Sequence, residues 1–266
     1  MRLQGKVAVI IGAGQAAGEG LGIGRATALT FGRQGAKVFA VDYDIASAEA
    51  TVKMISDSGG TAIACPADVT KEATLAAAFK RARELWGRID ILHNNVGVGI
   101  GAGDKPVTEI TEDVFDLIYR VNLRGTVMAC KHILPIMREQ RDGVITNTSS
   151  AAALGNAPNV AYKATKAALL PFTQQLAIQN GAYGIRANVI LPGPIDTPMG
   201  VDVRMRATGL SRAEVTAELD AMVPLRGKQG TAWDVANAAL FLASDEASFI
   251  SGIALPVDGA RLLKAG

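Results

Sequence analysis

Cysteine and histidine are nearly missing from this chain, with two of each among 266 residues. Cys65 and Cys130 stand far apart and lack CxxC spacing, which excludes a dense disulfide framework and a thiolate metal site. Buried free thiols in a reducing compartment are expected instead. His93 and His132 have no ligand-type residues spaced around them, so no metal is expected. An excess of one charge is missing too. The formal net charge is +2 and the basic residues are scattered, so no nucleic-acid partner is expected. No apolar run is long enough to span a bilayer. Gly5 and Lys6 lead into a short apolar run with no signal-like segment ahead of it. A soluble, cytoplasmic protein is the expectation. What the chain does have is glycine, 29 residues, with 49% hydrophobic and 20% charged residues. That make-up suits a compact α/β protein rather than a disordered one, and the length suits one domain over residues 1–266.

Short apolar runs alternate with longer helical patterns. Strands are expected at Val7–Ile11, Lys37–Val41, Thr61–Cys65, Ile89–His93, Val144–Thr148, Ile185–Leu191 and Ala254–Val257. Helices are expected over Ala26–Gln34, Ser47–Ser58, Lys71–Trp86, Glu112–Arg138, the segment carrying Tyr162, and Ala232–Ala243. This rhythm indicates βαβ units, hence a doubly wound, mainly parallel seven-stranded sheet with ligands at the carboxyl ends of its strands. Pro256 suits an edge strand. Pro171 should kink its helix or interrupt the hydrogen-bond ladder.

After the first strand, glycines recur from Gly12 to Gly24. A glycine-rich turn that opens a helix lets the backbone approach a pyrophosphate, and the helix N-terminus supplies donors and a favourable dipole. Asp42 ends the second strand, where a carboxylate would accept from ribose hydroxyls and repel a 2′-phosphate. No basic residue follows at Tyr43, so NAD is favoured over NADP. Asp68-Val69 follows the third strand, where the carboxylate either meets an adenine edge or serves as a turn residue. Asn94-Asn95-Val96-Gly97 follows the fourth strand at the mouth of the sheet.

Tyr162 and Lys166 are four residues apart, on one helix face about 6 Å from each other. An ammonium beside a phenol favours phenolate and should lower the phenol pKa from its ordinary value near 10. A phenol so tuned can exchange a proton with an alcohol or carbonyl oxygen.

Together these pieces resemble the short-chain dehydrogenase/reductase family over essentially the whole chain. They are the glycine-rich turn, Asp42, Asp68-Val69, Asn94–Gly97, Asn122, the pair Ser149-Ser150, Tyr162 to Lys166, Leu191 to Pro198, and Val257-Asp258-Gly259. The resemblance implies a Rossmann domain, a homotetramer and a catalytic set of Asn122, Ser150, Tyr162 and Lys166. Tyr162 would be the general acid/base, and Lys166 would bind the nicotinamide ribose and lower the Tyr162 pKa. Ser150 would hold the substrate oxygen, and Asn122 would support a proton-carrying water chain. The cofactor-binding set would be Gly12, Gly22, Ile23, Gly24, Asp42, Asp68, Val69, Asn95, Val96, Gly97, Tyr162, Lys166, Pro192, Gly193, Ile195 and Thr197. Ile195 and Thr197 fall where the family holds the nicotinamide carboxamide. Taken alone, Asn122 reads as a buried structural residue and Ser150 as a cap.

Three departures stand out. Ile11 replaces the family's Thr, and about six extra residues separate Gly12 from Gly22, an insertion expected to bulge outward near the adenosine or pyrophosphate. Ser149, not Ser150, has the family's spacing of thirteen to Tyr162, and a one-residue deletion between Ala153 and Gly155 reconciles Ser150 with the pattern. Val96 stands in place of Ala.

A substrate lid is expected over about 199–225, with an amphipathic helix starting at Ser211 and Glu214 three residues on. Gly-rich Val98–Val107 should form the opposite wall. The apolar lining suggests a secondary alcohol or ketone, while Arg204, Arg206 and Arg212 leave an anionic substrate open. The leading expectation is an NAD-dependent alcohol dehydrogenase or carbonyl reductase. The alternatives are an NADPH-dependent 3-oxoacyl carrier-protein reductase, disfavoured by Asp42, and a nucleotide-binding regulator without catalysis, disfavoured by the intact catalytic set.

Overall fold

Alternation along the first strands decides the layering. A computed structural model describes residues 1–155 and 159–264. In β1 (Val7–Ile11) every residue is buried, with Val7, Val9 and Ile11 in one apolar cluster and Ala8 and Ile10 in another. In β2 (Lys37–Asp42), Phe39 and Val41 join the first cluster, and Val38 and Ala40 the second. Side chains two apart share a sheet face, so both faces are covered. The sheet continues through β3 (Thr61–Pro66), β4 (Ile91–Asn94), β5 (Gly143–Thr148) and β6 (Ile185–Pro192). A short pair, β7 (Ile195–Asp196) and β8 (Gly230–Thr231), stands apart, and β9 (Ala254–Val257) closes the order β3-β2-β1-β4-β5-β6-β9. All its pairings are parallel. Pro256 lies in the edge strand, as expected.

The helices are α1 (Ile23–Arg33), α2 (Ile45–Asp57), α3 (Glu72–Trp86), α4 (Glu112–Tyr119), α5 (Gly125–Gln140), α6 (Val160–Asn180), α7 (Val203–Thr208), α8 (Arg212–Ala221) and α9 (Ala232–Ala243). Buried residues of α3, α5 and α6 enter the first cluster, and those of α1, α2 and α9 the second. The chain order reverses between β1 and β4, the switch point at whose carboxyl edge ligands bind in such sheets.

One helix expectation needs correction. The single helix over Glu112–Arg138 is opened by a π turn at Arg120–Arg124, which separates α4 from α5. The apolar periodicity runs through a π turn, so it left no mark in the pattern. Pro171 lies inside α6, which continues from Val160 to Asn180, and having no N–H it leaves one bond of the hydrogen-bond ladder unmade, as expected. Its ring lies on the exposed side, where the freed carbonyl one turn back is open to hydration.

Candidate active site

Gly12 has φ +83°, and a Cβ on Gly24 would overlap the Gly12 carbonyl oxygen. The turn and helix α1 therefore meet backbone to backbone, as only glycine allows. Gly22 is the N-cap of α1, without a side-chain cap and with no acidic residue in the first turn. That leaves the positive end of the helix open to an anion. Asn95 steadies the turn with a 3.4 Å bond from Nδ2 to Gly12 O. Asp42 accepts from Gly14 N at 2.8 Å and from Asp44 N at 3.1 Å. Burial pushes its carboxyl pKa up, partly offset by these bonds. Lone pairs remain on both oxygens for ribose hydroxyls. Arg25 is the nearby cation, but its guanidinium donates to Thr51 Oγ1 at 2.9 Å and to Ser47 O at 3.0 Å. These residues fit a dinucleotide: an uncapped helix end for pyrophosphate and a carboxylate for ribose.

The inserted residues Ala16 to Gly20 are all exposed, and the base of their loop is tied back. Gln15 ties the loop to the helix, accepting from Gly22 N at 2.9 Å and donating to Gly20 O at 3.1 Å. Beyond Gln15 the loop leans on the 199–225 segment. A Cβ on Gly18 would lie 2.6 Å from Asp202, and Arg206 donates to Ala17 O at 3.4 Å. Glu19 pairs with Arg212 at 3.6 Å. These contacts join the insertion to residues 202–212. Ile11 in the family's Thr position is fully packed into the core.

Tyr162 lies in the first turn of α6, and Lys166 one turn on is only 2% exposed. Lys166 Nζ donates to Thr148 O at 2.8 Å and Val96 O at 3.3 Å, leaving one of its three donors. It sits 5.9 Å from the Tyr162 ring centroid. Burial lowers the Lys166 pKa to about 8. The Tyr162 phenol does not follow the expectation from its neighbour. Desolvation raises its pKa, and the adjacent Ser150 hydroxyl only partly offsets this. Lys166 spends its donors on carbonyls, so the cost of a poorly hydrated phenolate outweighs it.

The serine pair separates by role. Ser149 is buried, and its hydroxyl donates to Lys166 O at 2.6 Å. Ser150 faces Tyr162 and also accepts from Ala152 N at 3.1 Å. Asn122, fully buried in the π turn, accepts from Val98 N at 2.8 Å and donates to Val98 O at 2.9 Å and Thr165 Oγ1 at 3.2 Å. Its side chain is spent on joining the Val98 loop to α6. A Cβ at Gly97 would fall 2.9 Å from Lys166 Nζ, and one at Gly99 would fall 3.0 Å from the Tyr162 ring. Both glycines are what let this loop lie against the pair.

Other expected residues serve local structure first. Burial pushes the Asp68 carboxyl up, but bonds from Thr70 and Lys71 hold it below its ordinary pKa, as in a turn. Val69 is buried against Gly125. Ile195 packs into the second cluster, so only its backbone is left for a ligand. Thr197 Oγ1 accepts from Gly200 N at 3.0 Å. Pro192 ends β6, and a Cβ on Gly193 would press on Asp258 at 2.5 Å. Asp104 was not anticipated. Its buried carboxylate accepts from the Tyr162 and Ala161 backbones. It lies some 58 residues from Tyr162 in sequence, with no local motif to reveal it.

Comparison with known proteins matches the family model described as enoyl-(acyl carrier protein) reductase over residues 17–260. The levodione reductase of Leifsonia aquatica is 34% identical over 92% of this chain and 91% of its own. A cyclohexanol dehydrogenase from Rhodococcus sp. is 35% identical over 97% of this chain and 96% of its own. Among solved structures, a short-chain dehydrogenase/reductase from Burkholderia xenovorans superposes with a TM-score of 0.93 at 36% identity, covering 100% of this chain and 99% of that one.

Proposed function

This chain belongs to the short-chain dehydrogenase/reductase family, and from that premise we propose that it is an NAD-dependent oxidoreductase interconverting a secondary alcohol and a ketone. The observation that carries the reading is the convergence of Tyr162, Ser150 and Lys166 at the carboxyl edge of the sheet, under Gly97 and Gly99. NAD supplies the two-electron hydride step. In reduction the Tyr162 phenol gives its proton to the nascent alkoxide, and in oxidation it must first release that proton to solvent so that its phenolate can take the alcohol proton. Ser150 donates to the same substrate oxygen, which stabilises the negative charge that develops there. Lys166 uses its remaining donor toward the nicotinamide ribose. Asn122 anchors the loop over the pair, and its π turn serves the proton path to solvent. Asp42 supports NAD over NADP, because its charge opposes a 2′-phosphate and Arg25 is already engaged.

Ile100, Leu154 and Met199 are exposed apolar side chains within four residues of Gly99, Ser150 and Thr197. They favour an uncharged, apolar substrate, and two relatives are named for cyclohexanol and levodione. Residues 199–225 act as a lid with its own small core of Val201, Val215 and Leu219. The protein works as a homotetramer in a reducing cytoplasm, where Cys65 and Cys130 stay as buried thiols.

The test is reduced-nicotinamide absorbance with cyclohexanol or cyclohexanone and either cofactor. Turnover is expected with NAD in preference to NADP, and Tyr162→Phe should lose about two to four orders of magnitude in kcat. A preference for NADP overturns the Asp42 assignment. Full activity in Tyr162→Phe overturns the chemistry.

A further inference from the structure

Helix α6 begins without a cap of its own. Asn159, its N-cap residue, makes no side-chain bond to the first turn and donates to the Asp104 carbonyl at 2.9 Å. The first-turn donors reach the same remote loop. Val160 N donates to Lys105 O at 3.3 Å, Ala161 N to Asp104 Oδ1 at 3.2 Å, and Tyr162 N to Asp104 Oδ2 at 2.8 Å. Asp104 is 3% exposed. Its neighbour Lys105 extends to Glu109, 4.0 Å away. Among the described residues no cation pairs with Asp104, so the positive end of the helix dipole balances its charge. Burying a carboxylate costs several kcal/mol unless its bonds are good. A local Asn or Ser cap would satisfy the helix at less cost.

The remote cap achieves something a local one would not. The loop is fixed at its start by Asn122, which holds both polar groups of the Val98 backbone. Gly99 then lies against the Tyr162 ring, and Asp104 ends the span on the Tyr162 amide. Ring and main chain of one residue are thus gripped by the same strap.

We propose that Asp104 is a positioning residue that sets Tyr162 against Ser150 by holding its backbone from the facing loop. The inference rests on the reading of Tyr162 as proton donor. A shift of about 1 Å in a reacting group costs on the order of a hundredfold in rate, which is the scale at which this hold acts.

The test compares the intact parent, Asp104→Asn, Asp104→Ala and Tyr162→Phe, with NAD and cyclohexanol as the probe pair. The Asn variant keeps the volume and one oxygen for Tyr162 N but turns an amide toward Ala161 N. In it kcat per NAD-binding site should fall about tenfold, and in the Ala variant about a hundredfold. The KM for NAD should stay within about twofold. The solvent deuterium isotope effect on kcat should grow, because proton transfer becomes slower relative to other steps. Amide exchange should quicken in the peptide over 159–166.

Variants that melt earlier or exchange faster, yet keep the parent's kcat and isotope effect, would show that Asp104 only stabilises the helix and would overturn the proposal. If the Ala variant does not fold, the Asn variant decides alone by the same measures. Turnover that survives in Tyr162→Phe removes the reading of the site and this inference with it. Turnover lost there but untouched in the Asp104 variants removes only this inference.

Discussion

Lys166 holds an ammonium in a place that disfavours charge, and the sign of its effect on stability follows. Its ordinary pKa of 10.5 drops to about 8 in the folded chain. Below about pH 8 it is protonated in both folded and unfolded chains, and the burial cost is felt in full. Between about 8 and 10.5 the unfolded chain still binds the proton while the folded chain does not, so folded stability rises with pH. Measured by urea unfolding, the free energy of the parent relative to Lys166→Met should shift toward the parent on the order of 2–3 kcal/mol from about pH 7 to about pH 10.5. A flat difference would mean the amine is better solvated than its 2% exposure implies. Helical spacing brought Tyr162 and Lys166 together in the sequence, but the pair alone was weak evidence, and the motifs along the rest of the chain are what pointed to it. Spacing did not give the direction of the Tyr162 shift, which depends on where the Lys166 donors go. Thr148 and Val96 lie on two other strand ends and leave no trace in the local sequence. The family pattern favoured Ser150 over Ser149, and what the sequence did not show is that the Ser149 hydroxyl is engaged by Lys166 O.

At the scale of elements, residues 199–225 show what periodicity reveals and what it hides. Ser211 and Glu214 form the expected capping box at the start of α8. The tether on that helix was not legible. Arg212, left open as a substrate-anion ligand, instead donates to Asp196 at 2.6 Å, meets Asp202 at 3.3 Å and pairs with Glu19 at 3.6 Å. Its charge is spent on joining β7, the 199–225 segment and the glycine-loop insertion. A sequence shows the signs of these charges but not which segments meet. The seven strands were legible because each is a bounded apolar run, whereas the π turn at Asn122 was not, since its residues keep helical composition. Arg212→Ala should loosen residues 199–225 while leaving the sheet intact. Limited proteolysis should then cut within 199–225 several times faster, and the KM for NAD should rise as the insertion loses its support. Unchanged proteolysis would mean that the segment is held by Val201, Val215 and Leu219 rather than by its ions.

Across the whole molecule the two ends of the sheet differ in kind. A cavity of about 790 Å³ opens at the amino ends of the strands, bordered by Lys6, Asp90, Asp142, Ile178, Arg186 and Phe249. None of the proposed site residues borders it, and the fold rule for parallel sheets places chemistry at the other end. The carboxyl-end site depends on α6, which packs on α4 and on the π turn. On α4, Phe115, Leu117 and Tyr119 are each about two-fifths exposed, at 40%, 38% and 43%. On α6, Leu176 and Phe172 turn to the sheet core, while Ala164 stays exposed. The α4 aromatics, with the Ala164 side of α6, are therefore the apolar surface a tetramer would cover beside Tyr162. Light scattering on the eluted parent should give four times the chain mass of 27.6 kDa. Phe115→Asp combined with Tyr119→Asp should lower that mass, because a carboxylate buried at an interface goes unpaired. The parent's Tm should rise with protein concentration, and the double variant's should not. A parent that runs as a single chain, or a double variant of unchanged mass, would show that these aromatics cover nothing and that α6 is held in place by its own chain alone.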